Sequence, residues 1–491
     1  MSTSADTHWS TLGCTRRALG ARSTCYNPAD GSVFTRHGRG IWGHLGVFRS
    51  VVADHPLAVR GECRASHRGS SRSTPRTARA SRDGGTNRQS STETSSAVAK
   101  ASARPGHSPG TNGPGGGWRR DGGCSAGRKQ RDLRHRLQAP ERPMISYQLT
   151  RYGQPLERTQ TARPDPVGTE VLVQIEACGV CHSDLHLRDG FFNMGDGKRL
   201  DLSRGRELPL TLGHEIGGTV VARGPDAGSV EVGERRVVYP WIGCGSCRTC
   251  QEGQEHLCAQ SRALGVTRHG GFSDHVLVPH PRYLFAFGDR PITLACTYAC
   301  SGLAAYGAVR KVQSRVDGRP LVIIGLGGVG FAALRLAQAV TTASIIAVDV
   351  EPKTLQAAAE TGAAVVDARA DDAARQIRRL TDGGAPAAID FVGSETSAAL
   401  GLGTLATGGL LVVVGLFGGQ LRTALPLLPL RSLTIQGSYV GSPEEMRELM
   451  ELVQTGTVSA IPVQPRPLAD AQTVLNDLRD GRAVGRMVLV P

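Results

Sequence analysis

Apolar and polar positions follow two different patterns along the part of the chain that begins at Met144. Up to about Pro281 the apolar positions alternate over short stretches, as in residues 170–176 and 217–221, and Gly and Pro residues separate these stretches. Alternation over so few residues predicts β-strands with one buried face. We therefore expect the first globular part to consist mainly of β-strands.

From Leu321 onward, continuous apolar runs alternate with helical stretches. The runs predict six strands, at residues 321–324, 344–348, 363–366, 388–392, 410–414 and 433–436. A helix from about Val329 to Val340 follows the first strand. This alternation is typical of an α/β fold with a doubly wound parallel sheet of the Rossmann type. A last helix at residues 443–454 and a strand within 484–490 are predicted to return to the first globular part.

Residues 1–143 differ in composition, being rich in Arg, Ser, Gly and Thr with few apolar runs. They hold 24 Lys and Arg against 9 Asp and Glu, whereas residues 144–491 hold 33 against 34. Such a segment buries too little apolar surface to offset the entropy of ordering it. We predict a disordered basic extension or a start site assigned too early, since Met144 is the first Met after Met1; the composition also fits a transit peptide.

The charge distribution narrows the classes of partner. The formal net charge of +14 belongs to the extension, and the remaining chain is close to neutral. Nucleic-acid binding through the extension is an alternative function, disfavoured because its Arg residues are not interleaved with aromatic residues. No run of 18 apolar residues occurs, so no membrane partner is expected.

Eight of the 12 cysteines follow residue 143 in metal-type groups, which predicts reduced thiols in a cytoplasmic protein.

One group of cysteines predicts a structural metal site. Its members are Cys244, Cys247, Cys250 and Cys258, which fall within 15 residues. Loops of two residues between successive thiolates let them converge on one ion, as in a closed tetrahedral zinc site.

A second group, spread along the chain, predicts an open zinc site. Cys181 and His214 form a mixed Cys/His set, and Glu215 beside His214 offers a carboxylate that could orient or contact the metal. Cys296 and Cys300 are both candidates for the third ligand, and spacing alone does not choose between them. For Cys296 we prefer the alternative of a buried apolar thiol.

A glycine-rich turn predicts a dinucleotide site. It directly follows the first apolar strand and opens a helix, and its members are Gly325, Gly327, Gly328, Val329 and Gly330. The glycines permit a tight turn, close approach of a pyrophosphate, and close packing of helix on sheet. Asp349, at the end of the next strand, can hold both ribose hydroxyls and would repel a 2′-phosphate, which favours NAD over NADP.

Residues 144–491 resemble the zinc-dependent medium-chain alcohol dehydrogenases. The resemblance depends on Cys-His-Ser-Asp at 181–184, Gly-His-Glu at 213–215, the four cysteines, the glycine-rich turn and Gly-Ser-Tyr-Val-Gly at 437–441. It implies a mainly β, GroES-like catalytic domain over residues 144–301 and 441–491, and an NAD-binding Rossmann domain over residues 302–440. It also implies two zinc ions per subunit, NAD, an alcohol or aldehyde substrate, and a homo-oligomer that is a dimer or tetramer.

The resemblance further implies individual roles. Cys300 stands six residues before Tyr306, which identifies it as the third zinc ligand in the family's pattern. Near the substrate, Ser183 would bond the alcohol through its hydroxyl, His186 would form the solvent end of a proton relay, and the Asp184 carboxylate would stand beside the ligand histidine. Near the cofactor, His182 would be a base facing the pyrophosphate, and Lys353 would contact the ribose.

The substrate is left open by these motifs. The expected activity is the reversible oxidation of an alcohol to an aldehyde or ketone, and a polyol, cyclic or carboxylated alcohol is the alternative substrate. Residues 193–209 are longer than in many family members and carry four cations, which fits either a solvated loop or the entrance for an anionic or bulky substrate. Trp241 is expected either to line the pocket or to lie in the core.

Overall fold

A computed structural model describes residues 143–483 and 485–491, together with the backbone of three short strands nearer the amino terminus. These three, β1 (Arg22–Tyr26), β2 (Ser32–His37) and β3 (Trp42–Val47), form an antiparallel sheet in that order. The sequence analysis did not predict them. The rest of residues 1–142, to which the prediction of a disordered extension applies, lies outside the described residues.

The first globular part is mainly β, as the alternating pattern predicts. Its strands are β4 (Met144–Leu149), β5 (Glu157–Thr161), β6 (Val171–Gly179), β7 (Phe191–Asn193), β8 (Arg199–Asp201), β9 (Leu210–Thr211), β10 (Glu215–Arg223), β11 (Arg235–Val238), β12 (His275–Val278) and β13 (Leu284–Phe285). Its helices, with the one that leads into the next part, are α1 (His182–Asp189), α2 (Arg248–Gln251), α3 (Ile292–Ala295) and α4 (Ser301–Val312). The central strand β6 pairs with β10 on one side and with β12 along its first residues.

The second part is a doubly wound parallel sheet, which confirms the predicted fold class. Its strands are β14 (Leu321–Ile324), β15 (Ile345–Asp349), β16 (Ala364–Asp367), β17 (Ala385–Asp390), β18 (Leu405–Val413) and β19 (Thr434–Gly437), and its helices are α5 (Gly328–Val340), α6 (Pro352–Ala359), α7 (Ala373–Leu380), α8 (Glu395–Thr404) and α9 (Leu427–Leu430). The strand order is β16-β15-β14-β17-β18-β19. The order reverses beside β14, where the ends of β14 and β17 leave a crevice for a ligand.

Burial explains why these strands read as continuous apolar runs. All residues of β14 and β17 are buried, because helices cover both faces of a parallel sheet. The one large boundary difference is at β18, which begins at Leu405 and not at the predicted residue 410. Gly408, with a φ of +78°, and Gly409 interrupt the apolar run and conceal the start of this strand.

The carboxyl-terminal segment returns to the first part, as expected. Its elements are α10 (Pro443–Gln454), β20 (Val463–Pro467), α11 (Ala471–Arg479) and β21 (Arg486–Val490). Strand β21 pairs with the end of β6, with Val488 opposite Gly179. This pairing carries Arg486 into the interior beside β10, where it is 3% exposed.

Residues 442–445 form the start of α10. The Ser442 hydroxyl accepts a hydrogen bond from the Glu445 N–H (3.1 Å), and the Glu445 carboxylate accepts one from the Ser442 N–H (2.7 Å). This reciprocal cap fixes the helix start.

Within the described residues, no single helix is long and apolar enough to span a membrane. One bent pair, Ile292–Ala299 and Ser301–Arg315, reaches the required length and composition only when its two halves are taken together across a bend of 54°.

Candidate metal centre and dinucleotide cleft

Three donor side chains meet where the elements of the first part end. Cys181 precedes α1, His214 directly precedes β10, and Cys300 precedes α4. Their ligand atoms lie within 4.8 Å of one another, and all three residues are buried. Cys296 lies outside this cluster, and its thiol donates to the carbonyl oxygen of Thr293 (3.4 Å).

The cluster fits a zinc ion. Nδ1 of His214 lies 3.2 Å from Oδ1 of Asp184, and both Nδ1 and Nε2 are buried with no hydrogen-bond partner among the described residues. Leaving a buried nitrogen without a partner is costly unless it binds something else. Two thiols and an imidazole are a donor set that zinc prefers in sites with an open position.

Proton sharing between the two thiols supports the same assignment. A hydrogen bond from Cys300 holds the pKa of Cys181 well below its usual value, and that contact together with burial raises the pKa of Cys300 well above its usual value. A thiolate at Cys181 thus opposes ionisation of Cys300. A bound divalent ion would allow both sulfurs to ionise.

Asp184 is held in place by the backbone around the cluster. Its Oδ2 accepts a hydrogen bond from the N–H of Cys181 (2.9 Å), and its Oδ1 accepts one from the N–H of Gly213 (3.2 Å). A carboxylate fixed in this way orients the His214 ring, which is the usual task of the group behind a ligand histidine.

Glu215, which we expected to orient or transiently contact the metal, forms its hydrogen bonds with residues beside the cluster. Its Oε1 accepts hydrogen bonds from the backbone N–H (3.0 Å) and hydroxyl of Ser301, and its Oε2 accepts one from the Arg486 guanidinium. Its partner Ser301 directly follows Cys300, so the carboxylate lies next to the cluster without being one of the three donors that meet within 4.8 Å. The structure does not place Glu215 in the ligand set.

Arg486 is a residue that the sequence analysis missed. It forms a buried ion pair with Glu215, and it also lies against the glycine-rich turn, where a Cβ added to Gly328 would be 2.3 Å from its Cδ. One feature of the sequence could have identified it: an Arg stands at the start of an apolar strand that is predicted to enter the core. A buried cation requires a partner, and at this position it can also attract a phosphate.

The glycine-rich turn has the geometry of a pyrophosphate cradle. Gly325 has a φ of +83°, and a Cβ on Gly330 would lie 1.8 Å from the Gly325 carbonyl oxygen. A Cβ on Gly327 would meet nothing within 4 Å, so open space faces the first turn of α5. Unpaired N–H groups at a helix start, next to open space, suit an anion.

Asp349 and the residues near it complete this end of the cleft. Its Oδ2 accepts a hydrogen bond from the Leu326 N–H (2.5 Å), and its Oδ1 accepts one from the Val350 N–H (2.7 Å). Val329 is partly buried in the first turn of α5, and Lys353 is exposed in the first turn of α6. The carboxylate is thus fixed beside the turn, where it can accept hydrogen bonds from ribose hydroxyls.

Helix α1 carries the three side chains expected to handle protons and phosphate. Ser183 and His186 lie on one face, three residues apart, and both are partly buried, whereas His182 is exposed. Burial lowers the pKa of His186, and its ring packs 4.8 Å from the Phe192 ring. No hydrogen bond joins Ser183 to His186 within the described residues, so a relay between them needs an additional hydroxyl group.

An aromatic wall stands beside the metal cluster. Trp241 is 4% exposed, its ring centroid lies 5.3 Å from that of His214, and it lies 5.7 Å from that of Tyr439. The indole N–H donates to the carbonyl oxygen of Ala299 (3.0 Å). The side chain is therefore buried and also adjacent to the site, so both interpretations of Trp241 are partly correct.

The four cysteines of the second site form a lobe of their own. The sulfurs of Cys244, Cys247, Cys250 and Cys258 lie within 4.8 Å of one another. Backbone N–H groups of Cys247 and Gln260 donate to the sulfurs of Cys244 (3.4 Å) and Cys258 (3.3 Å). Glu255 ties the lobe to the domain, since its Oε2 accepts hydrogen bonds from Gly243 N–H (3.1 Å) and Tyr283 hydroxyl (2.8 Å).

The chain matches two known domain families and is similar to known dehydrogenases. Residues 168–289 match the alcohol dehydrogenase GroES-like domain, and residues 328–455 match the zinc-binding dehydrogenase domain. The chain is 39% identical over 351 residues to an NAD-dependent alcohol dehydrogenase of Sulfurisphaera tokodaii, covering 71% of this chain and 100% of that protein. One of Saccharolobus solfataricus is 36% identical over 350 residues, covering 71% of this chain and 100% of that protein.

A solved structure shows the same fold. The alcohol dehydrogenase of Aeropyrum pernix superposes with a TM-score of 0.65 at 31% identity. The superposition covers 71% of this chain and 100% of the other.

Replacing Cys247 by Ser tests the four-cysteine lobe. One lost thiolate should release the ion, and we expect the thermal unfolding midpoint to fall by roughly 5–10 °C while the protein that stays folded still turns over. Calorimetry and metal content measure the two effects. The control is Arg248→Ala, whose side chain in the same lobe is 91% exposed. A folded Cys247→Ser protein that keeps both metals and loses activity would contradict a structural role.

Two glycine substitutions separate packing from cofactor binding. Gly330→Ala should lower the unfolding midpoint, because its Cβ would lie 1.8 Å from a backbone oxygen. Gly327→Ala should leave the midpoint unchanged, because nothing lies within 4 Å of its Cβ, and should raise the dissociation constant of NADH about tenfold by filling the phosphate space. Thermal melts and fluorescence titration with NADH provide both values. Unchanged NADH affinity in Gly327→Ala would place the pyrophosphate elsewhere.

Proposed function

The chain belongs to the zinc-dependent medium-chain alcohol dehydrogenase family, and on that premise we propose that it catalyses the reversible oxidation of an alcohol to an aldehyde or ketone with NAD. The main support for this function is the cluster of Cys181, His214 and Cys300. All three residues are buried, and their ligand atoms lie within 4.8 Å of one another. Glu215 and Arg486 connect this cluster to the glycine-rich turn. A substrate oxygen on the metal and a cofactor on the glycine-rich turn would thereby meet in one cleft.

The bound groups supply chemistry that side chains lack. Zinc held by Cys181, His214 and Cys300 supplies a Lewis acid that polarises the substrate oxygen. NAD supplies the acceptor for the hydride that leaves the carbinol carbon. The protein's own part is to fix both groups and to provide a route for the released proton.

Proton release depends on α1. The Ser183 hydroxyl would accept the proton of the substrate hydroxyl, and His186, three residues further along the chain, would pass it to solvent. Burial lowers the pKa of His186, so this imidazole is neutral near pH 7 and able to accept a proton. A cofactor ribose between the two side chains would provide the missing hydroxyl link.

Several groups of the protein would share the binding of the cofactor. The first turn of α5 and the Arg486 guanidinium would hold the pyrophosphate, and His182 at the start of α1 would face it from the catalytic domain. Asp349 would accept hydrogen bonds from the ribose hydroxyls, and Lys353 would approach the same ribose from α6. The carboxylate of Asp349 disfavours a 2′-phosphate, which supports NAD.

The domain limits proposed are residues 144–301 with 441–491 for catalysis and residues 302–440 for the cofactor. Pairing of β21 with β6 supports joining the last segment to the first domain. The proposed location is the cytoplasm, because all eight cysteines in the described part of the chain are free thiols.

Activity with an alcohol panel tests the function. The full-length protein with zinc and NAD should form NADH from primary or secondary alcohols, and Cys300→Ala should lose at least about 100-fold in turnover by removing one zinc ligand. Cys296→Ala is the matched control, because that thiol is equally buried and lies outside the cluster. Metal analysis should show one zinc lost in Cys300→Ala only. Wild-type protein that oxidises no alcohol would refute the activity.

We also propose that two copies associate through β19. This strand is the edge of the parallel sheet, and all four of its residues are exposed. Beside it, Leu425 and Leu430 are 74% and 78% exposed. An edge strand with unpaired backbone groups and an adjoining apolar patch suits pairing with a second copy.

Light scattering tests this association. Leu430→Asp should shift the mass from dimer or tetramer to a smaller species, because a buried carboxylate at the interface has no partner. Val167→Asp is the control, since Val167 is 66% exposed on the catalytic domain. A wild-type monomer, or a Leu430→Asp mass equal to that of wild type, would refute the proposed interface.

A further inference from the structure

The long loop of residues 193–209 spans the entrance between the two domains. Its first strands, β7 and β8, pair as a hairpin of the catalytic domain. The hairpin turn contacts the cofactor-domain loop that follows β18: Oδ1 of Asp196 lies 2.9 Å from Nη2 of Arg422, and a Cβ on Gly418 would lie 2.3 Å from the Asn193 carbonyl oxygen. The loop therefore bridges the catalytic and cofactor domains, and a substrate that enters between them would pass its side chains.

Three of the four cations in this loop either have a partner or are exposed to solvent. The Arg199 guanidinium stacks 4.0 Å above the Phe191 ring, Nε of Arg204 lies 3.5 Å from Oδ2 of Asp201, and Lys198 is exposed. These positions fit the solvated-loop interpretation. They leave Arg206 as the cation whose surroundings need an explanation.

Arg206 is partly buried and fixed in orientation without being neutralised. Its Nε donates to the carbonyl oxygen of Val266 (3.0 Å), and its Nη1 donates to that of Leu202. Within the described part of the chain, no carboxylate forms an ion pair with it. Two backbone carbonyls hold the guanidinium in place and leave Nη2 to bind another group. A partly desolvated, unpaired cation is costly unless a ligand anion neutralises it.

The position of Arg206 relates it to the metal cluster. Val266 lies in a turn whose Leu264 N–H donates to the Pro240 carbonyl oxygen (3.0 Å), directly before Trp241, and Trp241 packs on His214. Across the aromatic wall, the Tyr439 ring lies 5.7 Å from the Trp241 ring. A short chain of contacts through Val266, Leu264 and Trp241 thus connects Arg206 with the metal-binding His214.

We propose that Arg206 binds a carboxylate at the far end of the substrate, so that this enzyme prefers alcohols and aldehydes that carry a carboxylate remote from the reacting carbon. The inference rests on the proposed dehydrogenase function. The carboxylate itself is unchanged in the reaction: the carbinol carbon loses a hydride to NAD, its hydroxyl loses a proton, and an aldehyde and NADH result. Arg206 acts as a specificity-determining residue through a charge-assisted, bidentate-capable contact.

A matched pair of substrates tests the proposal. In 4-(hydroxymethyl)benzoate and 4-methylbenzyl alcohol the reacting group is the same, and only the carboxylate differs from a methyl group. With the full-length wild-type protein, kcat/KM should be higher for the carboxylate. Arg206→Gln should lower kcat/KM for the carboxylate by roughly 10- to 100-fold, mainly through KM, and change that for the neutral alcohol by less than about twofold. Added salt should weaken the preference.

Two further variants make the result specific. Arg206→Lys keeps the charge and loses the planar fork, so it should recover part of the preference. Arg204→Gln, on the same loop and 89% exposed, should leave both substrates unaffected. Equal losses for both substrates in Arg206→Gln, or an equal effect of Arg204→Gln, would overturn the proposal. If wild type oxidises the neutral alcohol without preferring the carboxylate, this inference fails and the dehydrogenase function stands; if it oxidises neither these nor any other alcohol, that function fails.

Discussion

A buried ion pair between Glu215 and Arg486 joins the three parts of the molecule on which the site depends. Glu215 follows the metal-binding His214 and also accepts hydrogen bonds from Ser301, next to the metal-binding Cys300. Arg486 begins the last strand and lies against the glycine-rich turn. Removing one partner of such a buried pair typically costs about 3–5 kcal/mol, because it leaves an uncompensated charge. The pair thus fixes the metal ligands, the returning chain end and the cofactor turn relative to one another.

The two metal sites use the same donor atoms for different purposes because their surroundings differ. In the four-cysteine lobe, nearby backbone N–H groups donate to the sulfurs, and Glu255 attaches the lobe to the rest of the domain. In the other cluster, three donors come from separate elements and are buried beside Trp241. A local closed set of thiolates holds a loop in shape, whereas a set assembled from distant segments leaves a position for substrate. Local sequence spacing therefore identifies the first site more directly than the second.

The loop of residues 193–209 is the part of the molecule from which we infer a substrate preference. The hairpin at residues 193–209 reaches the cofactor domain through Asp196 and Arg422, and its Arg206 is oriented by two backbone carbonyls. The other cations of the loop are paired, stacked or solvated, so net charge alone would have assigned all four the same role. The proposed substrate preference therefore depends on the position of one guanidinium and not on the number of cations.

The sequence by itself determined the fold class, the four-cysteine lobe and the glycine-rich turn, because each follows from spacing within one short segment: β14 reads as an apolar run, and Gly330 must lack a side chain beside Gly325. It did not show that β18 begins at Leu405, since glycines interrupt the run. Spacing left both Cys296 and Cys300 open as the third donor and the family resemblance favoured Cys300, which the tertiary structure brings to Cys181 and His214. Only the tertiary structure showed that Glu215 pairs with Arg486 and that two backbone carbonyls hold Arg206. These facts depend on which face of an element a side chain occupies and on contacts between residues far apart in the chain, which no local pattern encodes.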